Sequence, residues 1–532
     1  MSQTPHAPRA NRRVSRSILA VLSLLAPPAV GGAAFAQDAI ARANSLYADI
    51  VPGRRADAVL LPALIGLEAP PLGVETPEKA AMAFAEARVW PSAEAWATAP
   101  TQRAVIEALA KATKAETYED SMAFAQGYGV DGVDVSLIRG RMYTELGDPP
   151  LLSAAQHLYM EKFDHLRCLV HIEAARLAGE GDPVAGMKVL IGLAEFGYQM
   201  ADREFFKEAR WGYHTMADAI RRIRDIAYVD FRGGRTADPE GIREVIGLLD
   251  PQKGPMRLDR LNFPRANRIA AEQLIEVLYV PRGGVDTARF VPTMVRLATT
   301  DRPLRRFSAA SEFQGLMGRQ TDWFDIDDVL KDVFTSWEKG WLLDRFDPVL
   351  ALPFAWETER VNDTTAVVRE GVGEDMSELF ELRTLAQLER VGTRQALGLL
   401  GRFYVQGSFA PRIDGIRPRW VDVLDDDPLN ATRAGGRLPP MRYFRPITDA
   451  FLADERAEPK PHAMQVFPGD GTNFEVVLRD DQFLVYSTGA DGADNNGLRM
   501  SQDPASLIGD YLIWPPLLSL HREHLRQIGE LE

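Results

Sequence analysis

A mainly helical fold, with an irregular helical scaffold followed by a C-terminal α+β module, is the architecture this 532-residue sequence predicts. Three observations carry it. From Gln37 to about residue 375, apolar residues recur at spacings of three and four, the period of one helix face. A long helix is marked from Ser377 to Gln406, with Gly407 as its stop. Beyond Asn473 the period changes to two, the spacing of strands.

The chain opens with Arg9, Arg12, Arg13 and Arg16 and no acid, then an apolar run from Ile18 to Ala26, then Pro27-Pro28 and the small residues ending Ala34-Phe35-Ala36. This is the order of a secretory signal peptide, so residues 1–36 are expected to be removed. The apolar run is far shorter than the roughly 20 residues of a spanning helix, and no later stretch approaches one. The expectation is export to the periplasm or beyond, without a membrane span after cleavage. Arg12-Arg13 raises a twin-arginine route, but Ser15 stands where that signal favours a bulky apolar residue, which favours general secretion.

A first helical domain is expected over 37–235. Turn signals punctuate it, and Asp182-Pro183 supplies an N-cap and a first helical residue for the segment Val184 to Met200. A second helical region, 236–375, contains the segments Ala270–Tyr279 and Ile326–Trp341. Its tryptophans Trp323, Trp337, Trp341 and Trp356 are expected to pack between helices. The acids around Trp323 (Asp322, Asp325, Asp327 and Asp328) read as cap and first-turn residues of a helix. The α+β module is expected over 376–516. Leu382, Leu385, Ala386, Ala396, Leu397 and Leu400 share one face of its helix, and a hairpin turning at Asp480-Asp481 joins Asn473–Leu478 to Gln482–Ser487. Residues 517–532 read as a polar tail.

Charge and cysteine content narrow the chemistry. With 61 Lys+Arg against 75 Asp+Glu the net charge is −14, which argues against nucleic-acid binding. Cys168 is the only cysteine, so an internal disulfide, a CxxC pair and a Cys-rich zinc site are all excluded. The sequence contains no nucleophile elbow, phosphate loop or dinucleotide fingerprint.

Three stretches of the C-terminal region are distinctive: Tyr404-Val405-Gln406-Gly407-Ser408-Phe409-Ala410-Pro411, Asp427-Pro428-Leu429-Asn430, and Tyr486-Ser487-Thr488-Gly489-Ala490-Asp491-Gly492. Together they resemble the periplasmic domain of the major pseudopilins of type II secretion systems, over residues 377 to 516. As a whole the chain is similar to exported planctomycete-type proteins with such a module behind a helical region. In a pseudopilin the apolar N-terminal helix continues into this domain. Here a long helical region precedes it, so the resemblance does not imply assembly as a pilus subunit.

The resemblance implies a calcium site. Calcium takes six to eight hard oxygen ligands. Asp491, Asp494 and Asn496 offer side-chain oxygens, and Gly489, Gly492 and Gly497 permit the positive-φ turns that point carbonyls inward. Asp491 matches the family's first ligand. Asp510 resembles its closing aspartate, at a longer separation, and Asp494 is the alternative for that role. Without a cation the same residues form an Asx-turn loop.

One other constellation is worth testing. His157, Glu161, Asp164, His165, Cys168 and His171 fall on one arc of a helical wheel, opposite Tyr159, Phe163, Leu166, Val170 and Leu177. His157 with Glu161, or Glu161 with His165, gives two metal ligands at i, i+4, although a zinc site needs more. The plain reading is a solvated polar face. The functional expectation is therefore an exported, non-enzymatic scaffold that binds a protein or cell-envelope partner and has a calcium-stabilised module. Two alternatives stay open: a metal-dependent hydrolase using His157, Glu161 and His165, and a secretion accessory docking on a pseudopilus.

Overall fold

The computed structural model describes residues 31–300, 305–430, 439–446, 461–479, 482–502 and 507–531, with side-chain environments from residue 37. Helices dominate, and strands are confined to a short pair in the first half and small antiparallel sheets in the C-terminal region. The first half contains α1 (Gly31–Ser45), α2 (Ala56–Leu64), α3 (Pro77–Met82), α4 (Trp90–Ala97), α5 (Pro100–Ala112) and α6 (Val135–Arg139). A two-residue pair follows, β1 (Thr144–Glu145) with β2 (Gln156–His157), and then α7 (Met160–Gly179), α8 (Pro183–Ala201) and α9 (Phe206–Arg232). Most of the proposed signal segment lies outside the described residues, and α1 runs through Ala36, the position of the expected cleavage.

The middle of the chain folds as α10 (Pro239–Leu248), α11 (Ala266–Leu278), α12 (Phe290–Thr299), α13 (Arg306–Met317), α14 (Trp323–Trp341) and α15 (Ala366–Val372). Capping follows the sequence signals. The Asp182 carboxylate accepts the Ala185 N–H at 2.9 Å with Pro183 in the first turn, and Asp322 accepts from Phe324 N at 2.9 Å and Asp325 N at 3.1 Å. Trp337 and Trp341 are buried, and Trp356 packs on Trp337 with ring centroids 5.4 Å apart. Helix α16 (Glu378–Gln406) ends as expected on Gly407, whose φ of 68° closes the C-terminus.

Helix α9 is the axis of the molecule, packed by α7, α8 and α16. Backbones approach closely because small residues sit at the crossings. A Cβ on Gly212 would lie 2.3 Å from Ala201 N, and one on Gly186 would lie 2.6 Å from Ala174 O. One continuous apolar core runs from Leu60 through α7, α8, α9 and α16 to Trp514, across positions 235 and 376 without a break.

The C-terminal strands pair differently from the expected hairpin. Strands β3 (Arg442–Phe444), β6 (Leu484–Ser487) and β7 (Tyr511–Trp514) form an antiparallel sheet with β6 in the centre, while β4 (His462–Val466) pairs with β5 (Phe474–Leu478). So 474–478 and 484–487 are not partners. Both edges of β6 are taken, and its four residues are buried, with α16 on one side and the Met464/Leu512/Leu520 cluster on the other. The expected turn at Asp480-Asp481 lies outside the described residues.

The last segment is not a polar tail. It forms α17 (Leu517–Ile528), which buries Ser519, Leu520 and Arg522 and packs on α9 and β7. Among the described residues, no helix is long and apolar enough to cross a membrane.

Candidate functional site

The structure brings the three familiar stretches of the C-terminal module together. At the end of α16, Tyr404 donates from its hydroxyl to Asp230 Oδ2 at 2.7 Å, which ties the module to α9. Asp427 is buried, and its Oδ1 accepts from Leu429 N at 3.0 Å and from Ser487 Oγ at 2.9 Å, joining the Asp-Pro loop to β6. The glycines behave as expected: φ is 72° at Gly489, 64° at Gly492 and 66° at Gly497. At Gly489 a side chain is excluded outright, since a Cβ would sit 2.2 Å from Gly509 O.

Asp491, Asp494, Asn496 and Asp510 share this loop. Asp510 Oδ2 accepts the N–H groups of Asn495 at 3.1 Å and Gly497 at 3.0 Å. Burial pushes the Asp510 carboxyl up to about 6; those N–H bonds oppose the shift, and the nearby Asp494 and Asp491 charges reinforce it. Asp494 accepts from Tyr486 Oη at 2.9 Å and from Asn496 N at 2.8 Å, and pairs with Arg442 at 3.1 Å. Asp491 Oδ1 accepts from Gly509 N at 3.2 Å and Ala493 N at 3.3 Å. Asn496 is exposed, with φ 57°. The donors are hard oxygens of the kind calcium takes. As arranged, no three His, Cys, Asp or Glu side chains among the described residues converge closely enough to hold a metal ion. A cation would have to turn Asp491 and Asp494 from their present partners.

The helical His/Glu arc does not form. His157 belongs to β2, and the helix starts only at Met160 because 156–157 pair with 144–145 and Leu158 N bonds to Tyr143 O. The His157 ring is buried, 3.9 Å from Glu208 and 3.2 Å from Tyr159 Oη, and burial lowers its pKa to about 4. Glu161 is exposed and His165 is half-buried. A hydrolytic metal held by His157, Glu161 and His165 therefore has no helix face to bind. The solvated-face reading also needs correction. Cys168 and His171 are buried because α7 is covered by α8 and α9 and also by α3 and α4. Burial pushes the Cys168 thiol up to about 12, so it is inert as a nucleophile.

One concavity of the structure is a feature the sequence did not signal. A cavity of about 780 Å³ lies between α3, α9, β7 and α17. Its polar wall is a network built around the fully buried Glu389. Arg221 donates from Nε to Glu389 Oε1 at 2.6 Å, from Nη2 to Tyr511 Oη at 2.8 Å and from Nη1 to Asp218 Oδ1 at 3.0 Å. The Tyr511 hydroxyl donates to Glu389, and Arg224 pairs with the other Glu389 oxygen at 2.5 Å while donating to Thr393 Oγ1 at 2.6 Å. Burial opposes the Glu389 charge, but Arg224 and Arg221 outweigh it and hold the carboxyl below its usual range. Tyr511 is pushed upward, by burial above all. The one sequence clue to this network is the run Arg221-Arg222-Ile223-Arg224-Asp225 inside a long helix whose other positions are mostly apolar.

Comparison with protein-family models, curated proteins and solved structures finds no match for this chain.

Proposed function

We propose that the chain is an exported, non-enzymatic scaffold that presents its C-terminal module to a protein partner of the cell envelope. The observation that supports this reading best is how the module is held. Glu389 and Tyr511 of the module are locked by charge-assisted bonds to Arg221 and Arg224 of the helical body, around one shared core. Such a mounting fits presentation of a rigid surface. The network groups hold their charge states around neutral pH, which fits holding better than moving protons. The module exposes Val477 and Leu498 on its outer side. The test is co-purification of the mature chain with envelope extracts, beside Val477→Asp/Leu498→Asp. The expected result is one stoichiometric partner that is lost in the variant. Absence of any retained protein overturns the proposal, and recovery of a pseudopilus subunit would make the chain a secretion accessory.

A second reading concerns the Asp491 loop, where three carboxylates share one turn region and Arg442 is the cation paired with Asp494. Calcium would relieve the mutual repulsion of those carboxylates and stabilise the fold by RT ln(1 + [L]/Kd). Melting curves with calcium and with chelator test it. The midpoint is expected to rise with calcium in the wild type and not in Asp491→Ala; an unchanged wild-type midpoint removes the calcium reading.

A further inference from the structure

We propose that the cavity between α3, α9, β7 and α17 binds a small amphiphile: an apolar body carrying a single carboxylate. At about 780 Å³ it lies within the range of small-molecule sites, which are mostly apolar with a few convergent polar groups. Met82, Met500, Leu512, Leu517 and Leu525 supply the apolar wall.

The polar wall has donors to spare. A guanidinium carries five N–H groups, and the contacts to Glu389, Tyr511 and Asp218 engage three of those on Arg221. The Arg221 side chain is 30% exposed whereas Glu389 beside it is fully buried; both line the cavity, and the cation is the more accessible of the two. Two further lining groups are buried without hydrogen-bond partners among the described residues: Arg224 Nε and His171 Nδ1, in residues 3% and 2% exposed. Unpaired buried polar atoms are costly and call for a partner. A carboxylate accepts from both Arg221 and a neighbouring donor in the planar geometry guanidinium favours. A doubly charged headgroup fits less well, because Asp218, 33% exposed, lines the same wall.

The test uses the full mature chain and three probes: dodecanoate, dodecan-1-ol and acetate, followed by calorimetry and native mass spectrometry. Dodecanoate is expected to bind saturably. Dodecan-1-ol should bind about tenfold or more weakly, the value of one charge-assisted hydrogen bond, and acetate should not bind measurably. Arg221→Gln should bring dodecanoate down to the level of the alcohol. Because Arg221 also braces Glu389, Leu525→Trp serves as an independent variant; it fills the cavity from the half-buried face of α17 and should abolish binding of both long-chain probes with the melting midpoint kept. No saturable dodecanoate binding, equal affinity for acid and alcohol, or full binding by a folded Leu525→Trp would each overturn the proposal.

Discussion

Asp225 sits between two arginines, and that imbalance sets the cost of losing it. Asp225 and Arg222 of α9 have fully buried side chains, and Arg522 of α17 is only 5% exposed. Arg522 grips the carboxylate with both terminal nitrogens, at 2.9 and 3.2 Å, and Arg222 and the Ser519 hydroxyl also donate to it. Both guanidiniums stack on Phe84, at 4.4 and 4.2 Å. Asp225→Asn keeps the shape but leaves two buried cations without an anion, so the expected loss is about 3–5 kcal/mol. Arg522→Met keeps an apolar stem against Phe84 and leaves Arg222 and Asp225 as a balanced pair. It gives up the bonds to Asp225 and to the Met82 and Ala81 carbonyls, at an expected cost of about 1–2 kcal/mol. Urea unfolding at neutral pH, with hydrogen exchange at α17 amides to resolve partial opening, measures both variants. A second signature follows from ionisation. Burial opposes the Asp225 charge, but Arg522 and Arg222 outweigh it and hold its folded pKa below the usual range. Its contribution is therefore full above the unfolded value of about 3.9 and is lost as pH falls through the folded one, a loss Asp225→Asn should not show. A loss in Arg522→Met equal to or larger than that in Asp225→Asn would refute the charge count.

Three other outcomes are expected. Glu195, 1% exposed in α8, is pushed up to about 8 by burial against only the Ala115 N–H, so wild-type stability should fall as pH rises from about 5 to 8; Glu195→Gln should flatten that slope, opening a gap on the order of 3 kcal/mol in pH-dependent urea unfolding. Asp510, raised to about 6, predicts in chelator a decline in stability between about pH 4 and 6 that Asp510→Asn removes; a melting midpoint flat across that range in wild type would contradict the raised value. Gly212→Ala forces a methyl to 2.3 Å from Ala201 N at the α8/α9 crossing and should cost at least 1–3 kcal/mol in urea unfolding; a neutral result would mean the helices separate freely.

The helices were readable because each carries its own local instructions. Asp182-Pro183 and Asp322 mark starts, Gly407 marks a stop, and the three- and four-residue spacing between them says which face is buried. What the spacing withholds is the partner. Alternation marked 473–478 and 482–487 as strands, but the pairing of β5 with β4, and of β6 with β3 and β7, is decided by what packs on either face. The same limit hid the cavity. Arg221, Arg224 and Asp225 look like a polar stripe in sequence, and polar stripes are normally solvated. Here they are covered by residues 168 or more positions away, among them Glu389, Tyr511 and Arg522. His157 misled for the opposite reason: it lies at helical spacing from Glu161, but two residues of strand pairing held it out of the helix.

Those long-range ties bear on how a chain with one buried, unreactive cysteine keeps its C-terminal module in place without disulfides. Arg221, Arg224 and Asp225 occupy one short stretch of α9, yet they face two tasks. The first two line the cavity wall, and the third anchors α17. Helix α17 answers on both counts: Leu517, His521 and Leu525 line the cavity, while Ser519 and Arg522 bond to Asp225. An occupant of the cavity would therefore bear directly on the docking of α17, and it would stabilise the docked state only to the extent that it binds that state better than the undocked one. The dodecanoate that Arg221 is proposed to hold should slow hydrogen exchange in α17 in the wild type. It should do so by the same factor, 1 + [L]/Kd, in Asp225→Asn, whose substitution lies outside the cavity wall and raises only the ligand-free opening of α17. No slowing of exchange in α17 by dodecanoate in either protein would mean that the two tasks of α9 are independent.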